Sequence, residues 1–139
     1  MRVVAWITED GWEACVDGAA ALPATEITLL HVAGPVPPAP GLLGRRPRED
    51  VGARVAAVAG EAATALLADA QKRLGSVATV HRVAVSGRPE SIVMAAAATA
   101  DVLVLARDGR KPGPHSLGRA SRYIVDHAPC TVLLAWPPR

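Results

Sequence analysis

A chain of 139 residues is long enough for one domain with its own core, and half of its residues are apolar although Phe is absent. It has no apolar run of the ~18 residues that span a bilayer, and it turns acidic at Glu9 and Asp10, unlike a signal peptide, so we expect a cytoplasmic protein without a membrane partner. The net charge is +2, and five basic residues are concentrated between positions 106 and 122. This pattern argues against a nucleic-acid partner and indicates a local site for a small anion.

Strand and helix patterns alternate along the chain. Apolar runs predict strands at 2–7, 26–33, 78–85, 102–106 and 132–136. Helical spacing with Pro and Gly boundaries predicts helices at 12–21, about 50–74, 89–100 and 117–128, with Asp50 or a neighbour as cap of the second. The alternation predicts an α/β fold, a parallel sheet with helices on both faces, in a single domain over residues 1–139.

Residues 34–50 are too rich in Pro and Gly for regular structure, so they are predicted to form a long surface loop. Such loops are lids or partner surfaces in some proteins and disordered excursions in others, and both readings stay open.

The two cysteines, Cys15 and Cys130, lie on different predicted elements without metal-ligand spacing, so we expect two reduced, buried thiols and no metal site. His31 and His127 are expected to be structural, with backbone partners. His115 and Ser116 are adjacent, which favours turn and helix-cap roles, with Ser116 as the cap. We therefore expect no catalytic residues and no enzyme, although weak nucleotide hydrolysis is a distant alternative.

The loop at 106–121 follows a buried strand and precedes a helix, where backbone N–H groups can bind phosphate. Arg119 lies at the helix N-terminus, where its charge opposes the helix dipole unless an anion is bound there. In one interpretation Arg107, Arg119 and Arg110 clamp a phosphate or carboxylate, with backbone donors at Gly118 and Ala120. In the other, Arg119 extends into water.

The segments LGRAS at 117–121, SRYIVDHAPCTVLLAW at 121–136 and TLLHV at 28–32 resemble the universal stress protein family. The resemblance implies a five-stranded, Rossmann-like sheet of order 3-2-1-4-5, related to the adenine nucleotide alpha-hydrolase-like fold. It also implies a crevice beyond the ends of the first and fourth strands. Nucleotide-binding members carry a G-x2-G-x9-G-[S/T] pattern in the loop.

In this sequence Ala106 takes the first glycine position, and Gly109 and Gly118 are separated by eight residues instead of nine. Arg119 stands where the pattern has Ser or Thr. Thr8, or Ile7 if the alignment shifts by one residue, stands at the position of an Asp in the first strand. By resemblance the ligand site comprises Thr8, Glu9, Val32, Ala106, Arg107, Gly109, Arg110, Gly118, Arg119, Ala120 and Ser121. The implied cofactor is ATP, with Mg²⁺, or AMP, but these departures favour a diverged or nucleotide-free member. Trp6 either packs in the space of an adenine or stacks on a ligand.

The last strand lies at a sheet edge in this order, and its uncharged sequence needs covering. The resemblance implies a homodimer through Thr131, Val132, Leu133, Leu134, Ala135 and Trp136. Two functions therefore compete. The first is a ligand-binding stress-response module at loop 106–121. The second is a nucleotide-independent protein-interaction module, in which loop 34–50 and the dimer surface recruit an unidentified partner and the crevice is vestigial.

Overall fold

A computed structural model describes residues 1–34, 47–108 and 112–137, and for residues 47–58 it describes the backbone only. Strands and helices alternate in these residues. The strands are β1 (Arg2–Trp6), β2 (Glu26–Ala33), β3 (Thr79–Ser86), β4 (Val102–Ala106) and β5 (Thr131–Ala135). The helices are α1 (Trp12–Ala20), α2 (Pro47–Leu74), α3 (Pro89–Ala97) and α4 (Arg119–His127).

The five strands form one parallel sheet in the order β3-β2-β1-β4-β5, which confirms the predicted fold class and strand order. β1 is central, and Val3 pairs with Ile27 on one side and with Val102 on the other. The order reverses between β1 and β4. A crevice at the carboxyl ends of these two strands is therefore expected from the topology itself.

Alternate residues of β1 point to opposite faces of the sheet and join two separate cores. Val3, Ala5 and Ile7 belong to the core on the α1 and α2 side, whereas Val4 and Trp6 belong to the core on the α3 and α4 side. This period of two is the geometry of a strand that is buried on both faces, and it explains why β1 is continuously apolar.

Two helix starts differ from the sequence-based expectation. α2 begins at Pro47, so Asp50 lies inside the helix and is not its cap; proline suits a first helical turn because its missing N–H has no acceptor there. α4 begins at Arg119 with Gly118 as N-cap, so Ser116 does not cap it. The loop expected at 34–50 is shortened accordingly, and its residues 35–46 lie outside the described part of the chain.

The end of α2 agrees with the prediction. Gly75 has φ +73°, a left-handed conformation that closes a helix and favours glycine, and its N–H donates to the carbonyl of Gln71 at 3.1 Å. Within the described residues, no helix has both the length and the apolar character needed to cross a membrane.

Both cysteines are free thiols. Cys15 is fully buried, and its Sγ lies 3.3 Å from the carbonyl oxygens of Trp6 and Val104, so it fastens α1 to the two central strands. Burial raises the pKa of its thiol well above the usual range. Cys130 is half-buried, less than expected, and burial raises the pKa of its thiol as well.

Candidate functional site

The crevice expected from the strand order falls at the sheet's carboxyl edge, between the turn after β1 and the loop after β4. The turn brings Gly11 against the end of β4 so closely that a Cβ on Gly11 would lie 2.5 Å from the Cβ of Ala106. The methyl group of Ala106 thus packs towards α1, where a glycine accepts it. By the resemblance Ala106 takes a glycine position, and its additional carbon packs on the α1 side.

The end of β1 is held by β2. Ile7 N–H donates to the Leu30 carbonyl at 2.7 Å, and Nδ1–H of His31 donates to the Ile7 carbonyl at 2.8 Å. The backbone partner expected for His31 is confirmed. Thr8 follows as a half-buried residue at the carboxyl edge of the sheet, while Glu9 is exposed. These hydrogen bonds fix the backbone at Ile7, and so the position from which the Thr8 side chain extends.

Two residues near the crevice are part of the core. Trp6 and Val32 are each 8% exposed and lie in the apolar cluster on the α3 and α4 side, together with Leu30 and Ile124. This placement supports the packing interpretation of Trp6. It also makes Val32 a core residue rather than an exposed one.

Arg107 fastens the loop after β4 to the end of the sheet. Its N–H donates to the Ala135 carbonyl at 2.8 Å, its Nη1 donates to Ser116 Oγ at 2.5 Å, and its guanidinium carbon lies 4.5 Å from the ring centroid of Trp136. Ser116 is 1% exposed and its hydroxyl donates to the Gly113 carbonyl at 2.8 Å. The Arg107 side chain is thus engaged within the fold.

The start of α4 is occupied by a carboxylate of the chain itself. The N–H of Gly118 donates to Oδ2 of Asp108, and the N–H of Asp108 donates to the Ser116 carbonyl at 2.8 Å. A Cβ on Gly118 would lie 2.6 Å from that carboxylate oxygen. The backbone N–H of Gly118 thus donates a hydrogen bond as predicted, and its acceptor is Asp108.

Arg119 is exposed and lines a cavity of about 520 Å³ between the first turns of α3 and α4. The cavity is lined by Arg88, Glu90, Ser91, Met94, Arg119 and Tyr123. Neither Arg88 nor Arg119 pairs with a carboxylate among the described residues. Arg107 and Arg119 thus have different neighbours among the described residues.

Two further residues of the predicted site belong partly to the fold. Ala120 packs against the core on the α3 and α4 side, and Ser121 is 5% exposed. Gly109 and Arg110 lie outside the described residues.

No group of three or more His, Cys, Asp or Glu side chains in the described ranges is placed to hold a metal ion.

The Ser116 hydroxyl is buried and bonded to Gly113 and Arg107, whereas His115 is exposed. Ser116 and His115 thus belong to a turn that is held by the hydrogen bonds of Ser116. His127 donates from Nδ1 to the Tyr123 carbonyl at 2.8 Å, which confirms its structural role.

Sequence reasoning missed Asp108 as a site residue. The available signal was a single acidic residue inside a basic loop, ten positions before the glycine that starts α4. Charge pattern alone could not join the two, because the loop that brings them together is closed by Arg107 and Ser116.

Comparisons with known proteins give a consistent result. The family model described as Universal stress protein family matches residues 9–135. Universal stress protein UspA from Lactobacillus plantarum is 20% identical, with 97% of each chain covered and a TM-score of 0.65. A universal stress protein in complex with cAMP is 18% identical over 99% of this chain and 98% of that one, with a TM-score of 0.67. An Arabidopsis thaliana family protein with AMP bound is 16% identical over 99% and 92%, with a TM-score of 0.62. No curated protein sequence matches the chain.

Proposed function

Because the chain belongs to the universal stress protein family, we propose that it is a cytoplasmic stress-response module that binds an adenine-containing small ligand in the crevice between β1 and β4. The ligand class includes adenine nucleotides and related phosphorylated molecules, with Mg²⁺ accompanying ATP. In this proposal the ligand lies between Thr8 and Glu9 on one side and Ala106 and the start of α4 on the other.

The observation that carries this proposal is the reversal of strand order between β1 and β4. Helices leave these strands towards opposite faces, so the carboxyl edge opens at this point in folds of this type. Two solved relatives of the same fold hold cAMP and AMP, which supports an adenine ligand for this chain. Because Trp6 packs in the core, we expect residues at the carboxyl edge of the sheet to hold the ligand.

A thermal-shift comparison of adenosine, AMP, cAMP and ATP, with and without Mg²⁺, tests the proposal. One-site binding at about a hundred times the dissociation constant should add ~2.7 kcal/mol to the free energy of unfolding. Gly118→Asp places a second carboxylate at the start of α4 and should abolish the shift with nucleotides. Gly60→Asp is the control for the added charge, because Gly60 is exposed on α2 with nothing within 4 Å of an added Cβ. The absence of a thermal shift with every one of these compounds would refute the proposal.

The proposal includes the absence of catalysis. The Ser116 hydroxyl is buried in a turn and has no general base beside it among its bonded partners. We expect no release of phosphate from ATP above the rate without protein, measured in a coupled phosphate assay. Turnover that scales with protein concentration, and that Ser116→Ala or Glu9→Gln removes, would contradict this expectation.

A second candidate is a dimeric protein-interaction module. β5 is the sheet edge, Trp136 directly after it is 44% exposed, and the strand carries no charged residue. Such an edge favours pairing with a second copy. Light scattering coupled to gel filtration should show a dimer across the micromolar range, and Trp136→Ala should weaken it. A monomer at every concentration would exclude pairing through β5.

A further inference from the structure

We propose that Asp108 serves as the chain's own anion at the start of α4, and that the crevice therefore favours an uncharged nucleoside over its phosphorylated form. The choice between nucleoside and nucleotide rests on the proposed function. The role of Asp108 as a competitor of anions at Gly118 does not, and it can be tested separately.

The first support is the position of the carboxylate. α4 has nine residues, and its positive N-terminal end begins at Gly118, which has no side chain with which to cap the helix. Oδ2 of Asp108 accepts the Gly118 N–H. A negative oxygen bonded to a backbone N–H at a helix start is a charge-assisted interaction, the same one that a phosphate oxygen would make there.

The second support is the space around Gly118. A Cβ on this residue would lie 2.6 Å from Oδ2 and 3.5 Å from Cγ of Asp108. Glycine is therefore required for the approach of the carboxylate, and its φ of −67° shows that the requirement is space and not an unusual backbone conformation. The gap left by the missing side chain is already occupied by Asp108.

The third support is the anchoring of Asp108 and the placement of the arginines. The N–H of Asp108 donates to the carbonyl of the buried Ser116, whose hydroxyl accepts from Arg107. Arg107 also stacks on Trp136, and Arg119 lines the cavity next to Arg88. Among the described residues, neither Arg107 nor Arg119 forms an ion pair with the Asp108 carboxylate, so a ligand phosphate at Gly118 would meet a negative charge.

It follows that a phosphate can use the Gly118 N–H only by displacing Asp108 or by lying beside a like charge, and either route weakens its binding. A ligand without a phosphate avoids both. AMP should thus bind the wild-type protein no more tightly than adenosine does, and the ratio of the two dissociation constants is the quantity that reports on Asp108.

The experiment measures dissociation constants for adenosine and AMP by calorimetry, and stabilisation by inorganic phosphate at constant ionic strength. The protein is tested as wild type, Asp108→Ala and Asp108→Asn. Asp126→Ala is the matched control, because Asp126 is an exposed acid in the last turn of the same helix and its removal changes the net charge equally. Asp108→Asn retains an acceptor for Gly118 and guards against loss of folding in Asp108→Ala.

We expect Asp108→Ala to lower the dissociation constant of AMP about tenfold relative to that of adenosine. The reason is that the variant removes one charge-assisted acceptor that competes with the phosphate for the Gly118 N–H. Asp108→Asn should give a smaller gain, and Asp126→Ala none. An unchanged ratio in both Asp108 variants would overturn the inference. If no variant binds adenosine or AMP, the proposed function fails, and the phosphate measurement decides: stabilisation of Asp108→Ala beyond Asp126→Ala supports the role of Asp108, and equal responses overturn it.

Discussion

Gly11→Ala should destabilise the protein strongly because of one contact at the carboxyl edge of the sheet. The added Cβ would lie 2.5 Å from the Cβ of Ala106 and 3.9 Å from its Cα, whereas carbon atoms pack favourably at about 3.5–4.0 Å. The overlap is about 1 Å, and a methyl group on a central strand cannot rotate away. Gly11 has φ −139°, so the penalty is steric and not conformational.

Overpacking of this kind costs about 1–3 kcal/mol. We expect a value near the upper end, ~2–3 kcal/mol, because either α1 or β4 must shift as a unit. For a domain of this size, ~1 kcal/mol corresponds to roughly 3–5 °C, so the melting temperature should fall by roughly 6–15 °C. Urea unfolding followed by tryptophan fluorescence should give the same free energy with an unchanged slope.

A double-mutant cycle isolates the contact. Ala106→Gly removes the methyl group that Gly11→Ala would strike, so the double variant should be less destabilised than the sum of the single variants by ~1 kcal/mol or more. Gly60→Ala is the control: nothing lies within 4 Å of its added Cβ, and it should stabilise α2 by ~0.5–1 kcal/mol. Additive effects in the cycle, or a Gly11→Ala variant as stable as the wild type, would refute the steric argument.

Three further predictions concern charge, thiols and the loop. The hydrogen bonds from Arg73 hold the pKa of Asp17 below its usual value, so this pair stabilises the fold above pH ~3.9 and loses its effect as the pH falls through the lowered pKa. Asp17→Asn should therefore lower the melting temperature at neutral pH and leave it unchanged in strong acid; an equal difference at both pH values would contradict the ion pair. Cys130 should react with a thiol-alkylating reagent before Cys15, which should react only after unfolding. Labelling of Cys15 in the native protein at the rate of Cys130 would show that Cys15 is not buried. Ser116→Ala should cost about 1–2 kcal/mol in chemical denaturation, since it removes a buried hydroxyl with two partners, and a loss below ~0.5 kcal/mol would show that those bonds contribute little.

Some parts of the fold could be predicted because their causes are local. β2 and β4 have the bounds that their apolar runs indicate, and α2 ends where Gly75 closes it. The residues before and after β4, Asp101 and Arg107, are charged, so the run is cut off cleanly at both ends. Strand order needed the resemblance, since alternation alone predicts a parallel sheet without saying which strands are neighbours.

The candidate site was less predictable because its residues are joined across loops. Ser116 has the chemistry of a helix cap, yet its hydroxyl is bonded to Gly113 and Arg107, so α4 starts two residues later than Leu117. Arg107 has the charge of an anion ligand, yet Trp136 and Ser116 engage it. Each of these competing partners comes from another segment, and propensity contains no information about them.

By itself, the amino-acid sequence determined the α/β class, the alternation of strands and helices, and the location of the loop after β4, because apolar periodicity and turn residues act over a few positions. The tertiary structure alone decided which group lies at the start of α4. It brought Asp108 to Gly118, ten positions later in the chain. Hydrogen bonds to the buried Ser116 and the missing Cβ of Gly118 make this possible, and they place a carboxylate where the helix dipole is positive.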